Sequence, residues 1–242
     1  MIKKNPLIVC EIGLNHLGKK KIFYKYLDNL LSQNIHGITL QVVKDSFFKK
    51  KKFKNFYLDL DTISDFIDLI KKSKKKVGIA INDIEKIDFC EKKNVDFYKV
   101  INADMNNFNL VEKLTKTKNK DIFLSTGKSN FYQIAKVLKK INTKKIKLVH
   151  TSFNQKANGM NFKRIQKLRD RFHLPVSYGN HSPHIETIYS SAYFNPHSIF
   201  FYVKLNENSF FPDNNHAVKI KDINKIIKKI FQSFSTFKKK LK

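Results

Sequence analysis

The sequence predicts a single-domain (β/α)8 barrel, the TIM-barrel architecture. Eight short β-rich apolar runs alternate with longer stretches of helical period. Eight such units in 242 residues is the size of that barrel. Polar side chains also gather at or just past the carboxyl ends of the runs, where α/β barrels build their chemistry. A doubly wound open sheet is the runner-up, but it would usually begin on a GxGxxG turn, and the chain has none.

The predicted strands are Leu7–Glu11, Gly37–Gln41, Val77–Ile81, Phe97–Val100, Ile122–Ser125, Ile146–His150, Val176–Tyr178 and Ser198–Val203. After the first strand, Ile22, Tyr26, Leu27, Leu30 and Leu31 share one helical face. Ile63, Phe66, Ile67 and Ile70 do so after the second, and Val111 with Leu114 after the fourth. After the fifth, Ile134, Val137, Leu138 and Ile141 repeat the pattern. Asp61 and Asn107 stand where helix N-caps belong. A last helix, about Lys221 to Lys239, would close the ring. No linker rich in Pro, Gly or Ser divides the chain, so one domain over residues 1–242 is expected.

Composition narrows the function. No apolar run reaches the roughly 18 residues of a membrane span. Met1-Ile2-Lys3-Lys4-Asn5-Pro6 precedes an apolar stretch too short for a secretion signal. Cys10 and Cys90 lack CxxC spacing and read as reduced, partly buried thiols of a cytoplasmic protein. The net charge of +28 suggests nucleic acid, yet the only arginines are Arg164, Arg169 and Arg171. Lysine makes up the rest, in runs (Lys49 to Lys52, Lys74 to Lys76, Lys238 to Lys240) that read as solvated loops and helix ends. Base readout leans on arginine forks and aromatic platforms. Weak, salt-sensitive attraction to polyanions is expected, and specific nucleic-acid binding is not.

The candidate site is the set of strand ends: Glu11, Gln41, Asp83, Lys99, Ser125-Thr126-Gly127, His150-Thr151-Ser152 and Asn180-His181. Singly each has a structural reading, since Lys99 could snorkel, His150 could be a satisfied core histidine and Ser125 could cap a helix. Together they place acid, amide, amine, hydroxyl and imidazole on one rim, which stability alone does not require.

Glu11-Ile12-Gly13-Leu14-Asn15-His16-Leu17-Gly18, Gln41, Tyr98-Lys99-Val100, Leu124-Ser125-Thr126-Gly127, Leu148-Val149-His150 and Asn180-His181-Ser182 resemble, in order and spacing, the sialic acid synthase (N-acetylneuraminate synthase) family. The resemblance implies a TIM barrel that condenses phosphoenolpyruvate with the open-chain aldehyde of an N-acylated amino sugar. The products would be a nine-carbon 2-keto sugar acid and phosphate, with Mn²⁺ or Mg²⁺ assisting. It implies Glu11 as the carboxylate that positions hydroxyls and moves protons, and Gln41 as a sugar hydrogen-bonder. Lys99 matches the phosphoenolpyruvate-binding lysine, and Asp104 stands where the family has glutamate. Substrate contacts are implied for Asn15, His16, Asn102, Ser125, Thr126, Ser152 and Asn180, and metal ligation for His181.

The sequence also departs from the family. Thr39 replaces a lysine of its K-F-Q block, its T-P-F block reads Ala80-Ile81-Asn82 with the loss of a hydroxyl, and Asn102 replaces a serine. Its second metal-ligating histidine falls at Tyr202 or Val203, depending on a one-residue choice of alignment. The later P-D-H block survives as Pro212-Asp213-Asn214-Asn215-His216. Lys44 and Lys128 are near enough in sequence to supply charge. His184 follows His181 by three residues, a His-x-x-His that could bind metal on a helix turn but is more commonly an exposed loop or cap histidine. The family's C-terminal antifreeze-like domain, which reaches into a partner's site in a swapped dimer, is not expected within residues 1–242. A homodimer or a separate antifreeze-like protein would be the partner. Two other readings stand beside the enzyme: a non-catalytic barrel binding a sugar or a partner, and a polyanion-binding protein.

Overall fold

The computed structural model describes residues 5–154, 156–205 and 211–238. The chain runs β1 (Leu7–Gly13), α1 (Lys20–Leu31), β2 (Gly37–Val42), α2 (Asp45–Phe48), α3 (Leu60–Lys72), β3 (Lys76–Ile81), α4 (Ile87–Lys92), β4 (Phe97–Val100), α5 (Phe108–Thr115), β5 (Asp121–Ser125), α6 (Phe131–Leu138), β6 (Ile146–Thr151), α7 (Lys163–Phe172), β7 (Val176–Asn180), α8 (Glu186–Ser190), β8 (Ser198–Lys204), β9 (Val218–Lys219) and α9 (Ile223–Lys238). Strands β1 to β8 pair in sequence order, all in parallel, and β1 also pairs with β8. The ring is therefore closed, with helices between strands: a (β/α)8 barrel. The short β9 adds to the outer end of β8.

The period of two along each strand sorts side chains into two cores. Outward residues such as Ile8, Cys10, Ile38, Leu40, Ile79, Tyr98, Leu124, Leu148, Ile199 and Phe201 are buried against the helices. The inward residues Val9, Phe97, Phe123, Val149 and Phe200 form a separate small core inside the ring. There Phe123 meets Phe97 and Phe200 edge-on, with ring centroids 5.3 and 4.9 Å apart. Gly78 makes this possible, because a β-carbon there would lie 2.2 Å from the Phe97 ring. The interior is thus plugged by aromatics, and polar side chains one layer higher stand on that plug at the carboxyl-end mouth.

The predicted strands are present, and β1, β7 and β8 run further into residues that read as loop, through Gly13, Asn180 and Lys204. Asn107 caps α5 as expected, accepting from the Leu110 amide. The expected cap Asp61 does not: α3 starts at Leu60, and Asp59 accepts the Thr62 amide. Leu60 is exposed, so apolar periodicity could not mark that first turn. Helix α6 ends at Leu138, and Ile141 packs on the core from the turn beyond. The last helix begins at Ile223 after a 3-10 turn at Ile220–Asp222; Lys239 and Lys240 lie outside the described residues, as do Met1 to Lys4. Cys10 and Cys90 are free and fully buried, not partly so. No helix among the described residues is long and apolar enough to cross a membrane.

Candidate active site at the barrel mouth

Glu11 and Lys99 sit inward on β1 and β4, 88 residues apart in sequence, and meet in a buried ion pair of 2.5 Å with side chains 3% and 4% exposed. The Lys99 ammonium also lies 5.1 Å from the centre of the Phe200 ring, on the aromatic plug. One Glu11 oxygen is satisfied by this pair. The other, Oε1, is buried with no hydrogen-bond partner, an arrangement that costs free energy unless a ligand donor answers it.

Above the pair opens a cavity of about 290 Å³, lined among others by Gln41, Lys99, Asn102, Ser125, Lys128 and His181. Phe153 covers one side, its ring 4.9 Å from that of His181 and 5.1 Å from the Lys128 ammonium. A larger groove of about 780 Å³ lies away from the mouth between α4 and α5, lined by Asp88, Glu91, Lys113 and Lys116. Its charges pair along the surface, as Lys113 does with Asp88, and present no convergent set.

Opposite Lys99, three rings pack around one another. His181, just past β7, stacks on His216 with centroids 4.7 Å apart and planes 27° apart. Tyr202 of β8 stands edge-on to both, at 5.3 and 5.0 Å. Of the two positions the sequence left open for the family's second histidine, only Tyr202 faces the mouth; Val203 points outward into the helix-facing core. His216 belongs to the turn after β8, whose entry is tied down by Asn15: its side-chain oxygen accepts from the Asp213 amide at 3.0 Å and its NH2 donates to the Val203 carbonyl at 2.9 Å. Gly13, at φ +58°, lets this turn close. A β-carbon there would meet Tyr202 at 2.6 Å and the Asp213 carboxylate at 2.9 Å.

Burial governs the electrostatics. It pushes the His181 imidazole down to about 2, with His216 and then Lys99 adding to the effect. It takes His216 down to about 4, with help from Lys204 and Lys99. Both rings are therefore neutral at pH 7. Burial, then the neighbouring Glu11 charge, raise the Asp213 carboxyl to about 7 against the opposing pull of Lys99. The Tyr202 hydroxyl is raised well above its ordinary value, by burial first and then by Glu11 and Asp213. His216 Nε2 is buried without a hydrogen bond; the nearest Asp213 oxygen, at 3.6 Å, is too far to make one.

The remaining sequence-selected residues divide. Gln41, Asn102 and Ser125 line the cavity, and the Asn102 side chain also accepts from the Lys128 amide. His16 is turned away: its Nδ1 accepts from the Gly18 amide at 2.9 Å, and its ring packs on Phe23. Thr126 donates to the Val149 carbonyl, and Ser152 to the Gly159 carbonyl. Asn180 points outward between Tyr178, Ser182 and Thr187. Asp104 lies in the turn after β4 beside Asn82, with Oδ2 buried and unpartnered, its carboxyl raised by burial against the Asn82 hydrogen bond and the Lys44 charge. His184 is exposed in the loop before α8, its backbone N–H donating to Ser182. Sequence reasoning gave no role to Tyr202, Phe153, Asp213 or His216. The one signal for the last two was the degenerate Pro212–His216 block, whose loop placement no periodicity predicts.

Fold and site together define a parallel α/β barrel with a buried charged pair, a half-buried imidazole pair and a polar cavity at its carboxyl-end mouth. The chain belongs to the NeuB family, whose sequence profile matches residues 31–242. An uncharacterized protein of Methanocaldococcus jannaschii is 28% identical over 186 residues, which cover 72% of this chain and 55% of that protein, little more than half its length. The N,N'-diacetyllegionaminic acid synthase of Campylobacter jejuni is 23% identical over 256 residues, covering 95% of this chain and 76% of that one. In fold, the chain matches the N-acetylneuraminic acid (sialic acid) synthetase of Leptospira borgpetersenii with a TM-score of 0.88 at 18% identity, over 97% of this chain and 85% of that one.

Proposed function

We propose that this barrel is the catalytic unit of a nonulosonate synthase, joining phosphoenolpyruvate to the open-chain aldehyde of an N-acylated amino sugar. The observation that carries the reading is the Glu11–Lys99 pair at the floor of the mouth cavity, in a chain of this family that is alignable over most of its length with a legionaminic acid synthase.

The reaction forms a bond from C3 of phosphoenolpyruvate to the aldehyde carbon. The aldehyde oxygen takes a proton, water adds at C2, and the tetrahedral intermediate expels phosphate to leave the 2-keto acid. Phosphoenolpyruvate brings two anionic groups, and Lys99 and Lys128 line the cavity to receive them. Asn102 and Ser125 offer hydrogen-bonding groups beside those lysines. Glu11 Oε1, unpartnered and buried beside the cavity-lining Lys99, suits a sugar hydroxyl, and on this reading the carboxylate passes a proton at the aldehyde end. Gln41, half-buried on the cavity wall, is suited to the sugar's amide or hydroxyls. The aromatic plug below excludes water from beneath the reacting atoms.

A divalent metal suits the neutral imidazole of His181, the residue that would hold it; such an ion supplies Lewis-acid polarisation of the aldehyde. Among the described residues no three His, Cys, Asp or Glu side chains cluster to hold a metal ion, so water or substrate would complete its coordination.

A second reading, a sugar- or partner-binding barrel without turnover, is favoured by Thr39 in place of the family's lysine and by the structural hydrogen bonds of Asn180 and Thr126. Purified protein given phosphoenolpyruvate, Mn²⁺ and a panel of N-acylated amino sugars discriminates. Phosphate release that depends on one of the sugars is expected. Saturable sugar binding with no phosphate release from any combination would establish the second reading instead.

A further inference from the structure

The family's second histidine position holds Tyr202, a phenol where an imidazole would stand, so a site resting on His181 alone would be weak. The structure offers a replacement from a different element. His216, in the turn between β8 and β9, lies against His181 with ring centroids 4.7 Å apart. Its Nε2 is buried and makes no hydrogen bond, an unusual state for a ring nitrogen unless something else occupies it.

The turn is built to hold that ring. Asn15 fixes the amide of Asp213, the His216 and Ala217 amides close on the Asp213 carbonyl at 3.2 and 3.0 Å, and Tyr202 packs edge-on against His216. Gly13 leaves the space that Tyr202 and Asp213 fill. Phe153, on the far side of His181, confines the opposite face. His181 lines the polar cavity and His216 packs against it, and two imidazoles so close are a donor pair suited to Mn²⁺, Fe²⁺ or Zn²⁺, with water completing the shell.

We propose that His216 supplies the second imidazole of a divalent-metal site shared with His181, taking over from the β8 position now held by Tyr202. The inference rests on the reading that this mouth binds a divalent metal, and it extends that reading by naming a ligand from the β8–β9 turn. The 27° between the two ring planes would open as the nitrogens turn toward a common ion.

The test uses metal alone. Mn²⁺ is titrated into the full chain and into His181→Ala and His216→Ala, with free ion followed by electron paramagnetic resonance and pulsed spectra counting the coordinated imidazole nitrogens. Two nitrogens are expected in the unmodified protein and one in each variant. Losing an outer-shell partner alone weakens metal binding about 10–100-fold, so either ligand deletion is expected to cost about 100-fold or more. If His216→Ala does not fold, as judged by circular dichroism, the nitrogen count of the unmodified protein still decides. A single coordinated nitrogen there, or binding that His181→Ala abolishes and a folded His216→Ala leaves intact, would overturn the assignment of His216 while leaving His181 as a ligand. No Mn²⁺ binding by the unmodified protein would overturn the metal site itself, and the phosphate-release assay decides separately whether the chain is a synthase.

Discussion

Lys99 and Glu11 show what a single pair of side chains contributes. Both are almost wholly buried, so each ion has lost its water and depends on the other. Removing one partner of such a pair strands the remaining charge, and Lys99→Met is expected to destabilise the fold by about 3–5 kcal/mol in urea denaturation. The double replacement Glu11→Gln with Lys99→Met leaves no stranded ion and should recover much of that loss. A double variant less stable than Lys99→Met would show that the pair is not coupled as its distance implies. Glu11 and Lys99 were legible in the sequence, because Glu11 closes one short apolar run and Lys99 interrupts another. Tyr202 was not: an aromatic within Phe200-Phe201-Tyr202-Val203 looks like core, and only register separates the residue facing the mouth from its outward neighbour. His16, Thr126 and Asn180 show the converse. They stand at the right strand ends, but their hydrogen bonds run to nearby backbone or into the helix layer, which spacing along a chain cannot reveal.

At the scale of elements, strand positions were easy to read. Parallel strands buried on both faces give continuous apolar runs, and the turns between them break those runs with lysine, asparagine and glycine. Ends were harder. The strands β1 and β7 finish in glycine or asparagine, residues that signal a turn, while their backbones remain in the ladder or its bulge. The β8–β9 turn was the hardest of all, because nothing in its local pattern says that Asn15, nearly two hundred residues earlier, anchors it. Gly13 couples these two segments. A side chain at φ +58° is strained and would collide with Tyr202 and Asp213. Gly13→Ala should therefore cost about 1–3 kcal/mol of stability. It should also displace the turn, so that the His216 ring resonance in an NMR spectrum shifts while that of His150, on another part of the barrel, does not. Unchanged stability and an unmoved His216 signal would contradict the coupling.

For the whole molecule, ring closure turns scattered strand ends into one site, and the same closure buries histidines that must stay neutral. His16 and His150 are both pushed down to about 4 by burial, and His16 accepts a hydrogen bond at Nδ1 that a proton would abolish. The unfolded chain takes up protons near 6.5, while the folded one resists until about 4. Between those values the unfolded state binds more protons, so stability is fully present above about 6.5 and drains as pH falls toward 4, by up to roughly 3 kcal/mol for each histidine. Denaturant midpoints measured from pH 7 to pH 4.5 should fall accordingly, and a flat profile would contradict it. The net charge of +28 is carried almost wholly by lysine, and exposed lysines such as Lys49, Lys50 and Lys74 lie on loops and helix ends.

On the proposed function, the mouth cavity seats phosphoenolpyruvate against Lys99. Calorimetric titration of phosphoenolpyruvate into the unmodified chain and into the double variant Glu11→Gln with Lys99→Met, chosen because it leaves no stranded charge, tests it directly. Saturable binding to the unmodified protein, weakened at least about tenfold (about 1.4 kcal/mol) in the variant, is predicted. Equal affinity in the two proteins, or no binding to either, would contradict the account.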